Sequence, residues 1–73
     1  MTFQELSNIH VTSIHYPALS DYFDWRYTVE DLGEELKIGS YRIAKYQIQA
    51  LSRKDKRIEL NMKNGDNIFL FAQ

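Results

Sequence analysis

The segment that most constrains this chain is Arg57 to Ala72. Ile58, Leu60 and Met62 alternate with Arg57, Glu59 and Asn61. Successive side chains leave a β-strand on opposite sides, so this alternation predicts a strand with one buried face. Asn64-Gly65 follows, a dipeptide that accepts the two positive φ angles of a type I′ hairpin turn. The apolar run "IFLFA" completes the pattern. A two-residue loop pairs Lys63 with Asp66, Leu60 with Phe69 and Ile58 with Phe71, so that large apolar residues meet on one side. Ile68 and Leu70 then lie on the other side. A second layer of the same chain or a partner must cover them, which makes both candidate partner contacts.

At 73 residues the chain has room for one domain, 1–73. A domain of this size buries only about 60% of the surface of its unfolded chain. Its core is thin, and a homodimer would enlarge it. The absence of cysteine excludes a disulfide framework and any thiolate ligand or nucleophile, and fits a reducing, cytoplasmic setting. The N-terminal "MTFQELSNIH" has neither the basic region nor the apolar run of a signal peptide. No apolar run approaches the length of a membrane span, so no membrane partner is expected. The net charge is -1, but it is unevenly spread. Residues 1–36 hold seven acids against Arg26, and residues 37–73 hold eight bases against three acids. That asymmetry fits a basic binding face with an acidic back. It equally fits two halves that neutralise each other.

Upstream of the hairpin the periodicity is ambiguous. Thr2 and Glu5 have capping-box spacing and predict one short helical turn. "NIHVTSIHY", residues 8–16, is rich in β-branched residues and predicts an extended segment broken by Pro17. "PALSDYFDWR" can open a helix at Pro17 or Ser20. Between residues 28 and 52, Val29, Leu32 and Leu36 fall at helical spacing, and Ser40 can cap a second helix to about Ser52. That helix would gather Arg42, Lys45, Gln49 and Arg53 on one side and Ile43, Tyr46 and Ile48 on the other. The same residues also alternate as strands. Ala44, Tyr46, Ile48 and Ala50 alternate with Lys45, Gln47 and Gln49, as do Phe23, Trp25, Tyr27 and Val29 with their neighbours. Gly39-Ser40 then becomes a hairpin turn pairing Ile38 with Tyr41 and Leu36 with Ile43. The chain would be an all-β meander or a small SH3- or PH-like barrel.

"VEDLGEELKIGSYRIAKY" resembles the helix-turn-helix of winged-helix DNA-binding domains. Gly33 stands where that family has a small residue mid-way along the first helix of the pair, at the point where the two helices touch. Leu36 and Ile38 flank the turn, Ile43 and Tyr46 match packing positions of the second helix, and "RIELNMKNGDNIFLF" matches the wing. Lys37 occupies the place of the family's usual turn glycine. The resemblance implies an α+β fold: an N-terminal strand and first helix in 1–27, the helix-turn-helix in 28–52 and a β-hairpin wing in 56–72. It implies a small transcriptional regulator that binds duplex DNA. Ser40, Tyr41, Arg42, Lys45 and Gln49 would face the major groove. Arg53, Lys54, Lys56, Arg57 and Lys63 would grip phosphates. The alternative function, matched to the all-β fold, is a protein-interaction module, adaptor or inhibitor that docks through aromatic residues. Trp25 is its first anchor candidate.

No enzyme signature is present. Three scattered glycines make no phosphate loop, and Asp21, Asp24, Glu34 and Glu35 are more simply caps and solvated charges. His10 and His15 lie five apart in an extended segment. Strict alternation places them on opposite sides, so they predict no metal site. Neither catalysis nor a cofactor is expected. On the all-β reading, aromatics among Arg26, Arg42 and Lys45 could stack single-stranded bases.

Overall fold

The computed structural model describes residues 1–16 and 19–72. Its elements are a single helical turn α1 (Phe3–Leu6) and strands β1 (His10–Tyr16), β2 (Leu19–Thr28), β3 (Glu30–Asp31), β4 (Glu35–Ile38) and β5 (Tyr41–Ala44). A 3-10 turn (Lys45–Gln47) then leads to β6 (Ile48–Lys54), β7 (Arg57–Met62) and β8 (Asn67–Ala72). All pairings are antiparallel. One sheet has the order β2-β1-β8-β7-β6 and the other β3-β4-β5. The β1–β8 pairing ties the two ends of the chain together, with Ile14 opposite Leu70.

The winged-helix, α+β reading is therefore overturned, and the all-β alternative fits. Residues 28–52 hold the three-stranded sheet and most of β6, with no helix pair. Two glycines decide this. Gly33 has φ +94 and Gly39 φ +59, and either would break a right-handed helix. The Asp31 carboxylate accepts the Gly33 N–H at 2.9 Å and fixes the turn between β3 and β4. Gly39 is the only residue of the Gly39-Ser40 loop with positive φ, as a type II′ turn requires. The register is the one expected of the strand reading: Ile38 faces Tyr41 and Leu36 faces Ile43. The helix expected from "PALSDYFDWR" is also absent, since Leu19–Thr28 is strand. Pro17 lies outside the described residues.

The β7–β8 hairpin forms, but with a longer loop. The Gly65 N–H donates to the Met62 carbonyl at 3.0 Å, the Met62 N–H donates to the Asp66 carbonyl at 2.8 Å, and Gly65 has φ +96. This is a three-residue loop closed by a left-handed glycine. The added residue slips the register by one and exchanges the faces of β8. Ile58 now meets Leu70, and Leu60 meets Ile68. Ile68 and Leu70 point inward with no solvent exposure, while Phe69 and Phe71 point outward. The second layer, not a partner, covers Ile68 and Leu70.

One core joins both sheets. Val11, Ile14, Ile58, Leu60, Ile68 and Leu70 supply the five-stranded side, and Val29, Leu36, Ile38 and Ile43 the three-stranded side. Leu6 of α1 completes it. The predicted cap at the N-terminus forms: the Glu5 N–H donates to Thr2 Oγ1 at 3.1 Å. Among the described residues no helix is long and apolar enough to cross a membrane.

Candidate docking surface

The three-stranded sheet covers one side of the five-stranded sheet and leaves the other side and both edge strands, β2 and β6, open. β2 carries the first candidate surface. Val11 pairs with Tyr27 and Ser13 with Tyr22, so a single residue, Thr12, stands opposite four, Phe23 to Arg26. An edge strand with this much excess length must bulge outward. Trp25 lies in the bulge and is 75% exposed; Tyr22 at its start is 84% exposed. They are the two most exposed large apolar side chains among the described residues.

The base of the bulge is fixed. The Phe23 and Tyr27 rings meet edge to face, with centroids 4.7 Å apart, and Phe23 packs against the core. Tyr27 also lies against Gly39; a Cβ there would sit 3.5 Å from the ring. The Tyr41 hydroxyl donates to the Asp21 carboxylate, tying β5 to β2. That hydrogen bond and partial burial push the Tyr41 phenol above its usual range. At the far end the Val29 N–H donates to the Ile9 carbonyl at 2.9 Å. Trp25 thus projects from a loop whose two ends are pinned. Asp24 and Arg26, its exposed neighbours, give it a charged border of both signs.

The residues expected to read DNA do not form one face. Ser40 is in the β4–β5 turn, Tyr41 and Arg42 are on β5, Lys45 is in the 3-10 turn and Gln49 is on β6. Two of the three charged or amide readers are also diverted. Arg42 pairs with Glu35 at 2.9 Å and Lys45 with Asp31 at 2.6 Å. The lysine contact, with the Gly33 N–H, holds the Asp31 carboxyl below its usual range. With no recognition helix in residues 28–52, the helix-turn-helix basis for DNA recognition is withdrawn. Arg53, Lys54, Lys56 and Arg57 do come together, around the β6–β7 turn, whereas Lys63 sits in the β7–β8 loop at the opposite end of β7. Asp55 makes the β6–β7 turn with φ +58, and Arg53 Nε donates to its carbonyl at 2.8 Å.

The histidines correct another expectation. The bulge at Thr12 resets the alternation of β1, so His10 and His15 both face away from the core. They remain roughly 16 Å apart along the strand, and His10 Nδ1 is engaged with the Thr28 hydroxyl at 3.1 Å. Among the described residues no group of three or more potential metal ligands is assembled. Sequence reasoning missed Tyr22 as part of the surface and missed the bulge itself. No sequence signal marked either, because the excess length of β2, ten residues against seven of β1, emerges only when the two strands are paired. The chain matches no family model, no curated protein and no solved structure.

Proposed function

We propose that this chain is a β-rich protein-interaction module that docks on another protein through the β2 bulge, with Trp25 as the anchor. The observation that carries the reading is a large aromatic side chain held three-quarters exposed on a bulge pinned at both ends. Bulges on edge strands re-aim side chains and stop strand-to-strand pairing. Tryptophan and tyrosine are the residues most enriched where interface energy concentrates. A preset anchor loses little conformational freedom on docking, which favours affinity. Burying the exposed part of Trp25 is worth about 4 kcal/mol, from roughly 150 Å² at about 25 cal/mol/Å².

The test is affinity capture from native cells with the wild type and with Trp25→Ala, followed by titration of the purified partner. A folded Trp25→Ala variant should bind the partner at least about 30-fold more weakly, the loss expected of a hot-spot side chain. A partner held equally well after both Trp25→Ala and Tyr22→Ala would refute the docking site.

A further inference from the structure

The open side of the five-stranded sheet is a second surface, which meets the Trp25 bulge only at Tyr22. Its composition is unusual for a solvated sheet face. β8 is the central strand, and the normal expectation there is polar residues outward. Instead, β8 presents Phe69 and Phe71, two residues apart and so about 7 Å from each other. Across the sheet, Tyr22, Ser13, Phe71, Arg57 and Lys54 form one row. Ser20, His15, Phe69, Glu59 and Ser52 form the next. Phe71 remains 38% exposed and Phe69 half-buried. The Arg57 guanidinium lies over the Phe69 ring, 5.4 Å from its centroid. Neither Arg57 nor Lys54 is in an ion pair among the described residues, and Lys56 stands beside them in the turn. A third row adds the paired amides of Asn61 and Asn67.

The geometry points to a binding site for single-stranded RNA on this sheet face. The exposed Phe71 ring offers a π face to one unpaired base, and the Arg57 guanidinium stacked over Phe69 offers a second plane to the next. Arg57 and Lys54, at one end of the rings, supply the cations that a phosphate backbone needs. The asparagine amides and Ser52 can donate to and accept from a ribose 2′-hydroxyl, the group that separates RNA from DNA. Aromatic side chains spread across a sheet face can meet bases only when these are unpaired and splayed out, which a duplex does not offer. Glu59 is the one acid in these rows, directly opposite Phe69. It repels phosphate, so the backbone must pass on the Arg57–Lys54 side.

Fluorescence anisotropy with a labelled oligouridine of about twelve nucleotides tests this, beside the matching thymidine DNA strand and an RNA duplex. The oligouridine should bind, more tightly than either control, with affinity falling steeply as salt rises. Phe71→Ser should weaken binding about 5- to 150-fold, the range for one stacked base. Phe71→Leu, which keeps the apolar bulk and loses only the π face, should weaken it too. Lys54→Gln should lower the salt slope by about one. Glu59→Gln should tighten binding about two- to fivefold. Trp25→Ala should leave RNA affinity unchanged, so failure here and failure of the protein-docking site are separately visible. Absence of binding at low salt, equal binding of the DNA strand or the duplex, or indifference to a folded Phe71→Leu variant would each overturn the proposal.

Discussion

The β7–β8 register assigns opposite fates to two apolar residues three apart on one strand. Ile68 has no solvent exposure, and Phe71 faces out. Under a two-residue Asn64-Gly65 turn their positions would be exchanged. Ile68→Ala removes most of a side chain packed between Leu60 and the rest of the core. Truncations of this kind cost about 2–5 kcal/mol. A chain of this length has a total stability of roughly 4–11 kcal/mol, so the variant should lose between a fifth of its stability and all of it. Phe71→Lys should behave differently. A lysine there keeps its ammonium in water and lays its stem on the sheet, as long cationic side chains do, and the loss should stay near about 1 kcal/mol. Ile68→Val, at about 0.5–1.5 kcal/mol, keeps the comparison measurable should Ile68→Ala unfold. Urea denaturation followed by far-ultraviolet circular dichroism gives all three values. If Phe71→Lys unfolds the protein while Ile68→Ala is tolerated, the three-residue loop and every facing drawn from it are wrong.

Other consequences are independent of that hairpin. Gly39→Ala should cost about 1–2 kcal/mol, because φ +59 is unfavourable for a side-chain-bearing residue while the nearby Tyr27 ring leaves ordinary room for the methyl group; thermal melting would register it as a lowered midpoint. Asp55→Gly should be neutral or stabilising in the same assay, since Asp55 already has φ +58. The depressed Asp31 carboxyl contributes stability that is present above its unfolded value and lost as pH falls through its folded value. Lys45→Met should flatten that acid limb. The raised Tyr41 phenol works in the other direction: its contribution is intact below the unfolded tyrosine value and lost as pH rises through the folded one. Tyr41→Phe should remove that alkaline dependence in denaturation curves measured across pH.

The two halves of the chain differed in how much of their structure could be read in advance. The C-terminal hairpin was clear because Ile58, Leu60 and Met62 have only one sensible period. Its loop length was not, since Asn64-Gly65 suits both a two-residue turn and the last two positions of a three-residue one. Residues 28–52 satisfied both periods, because Leu36, Ile43 and Ile48 are spaced so that helix and strand each gain an apolar side. Tertiary packing chose, and Gly33 and Gly39 carried the decisive information. A mid-helix glycine and a turn glycine differ in sequence only by context. The docking surface was legible in part. Trp25 could be picked out as an aromatic anchor candidate, but its exposure depends on a bulge produced by the pairing of β2 around Thr12 of β1, thirteen residues away in sequence.

Charge distribution takes on a different meaning in this architecture. The acidic first half and basic second half do not simply cancel; only Glu35 with Arg42 and Asp31 with Lys45 meet as ion pairs among the described residues. The five-stranded sheet separates much of the rest. Its β2 edge carries Asp21 and Asp24 against Arg26 and so is net acidic, and its β6 edge carries Arg53 and Lys54. Edges of opposite sign on one small sheet invite head-to-tail pairing of copies, which would not close. The β2 bulge opposes that outcome, because a strand with Phe23–Arg26 thrown out of register offers no continuous row of backbone groups to an incoming β6. The same bulge that projects Trp25 therefore also guards the edge. A partner recognised there must be held by side chains rather than by an added strand, which is why the anchor substitution, and not a backbone change, is the informative perturbation.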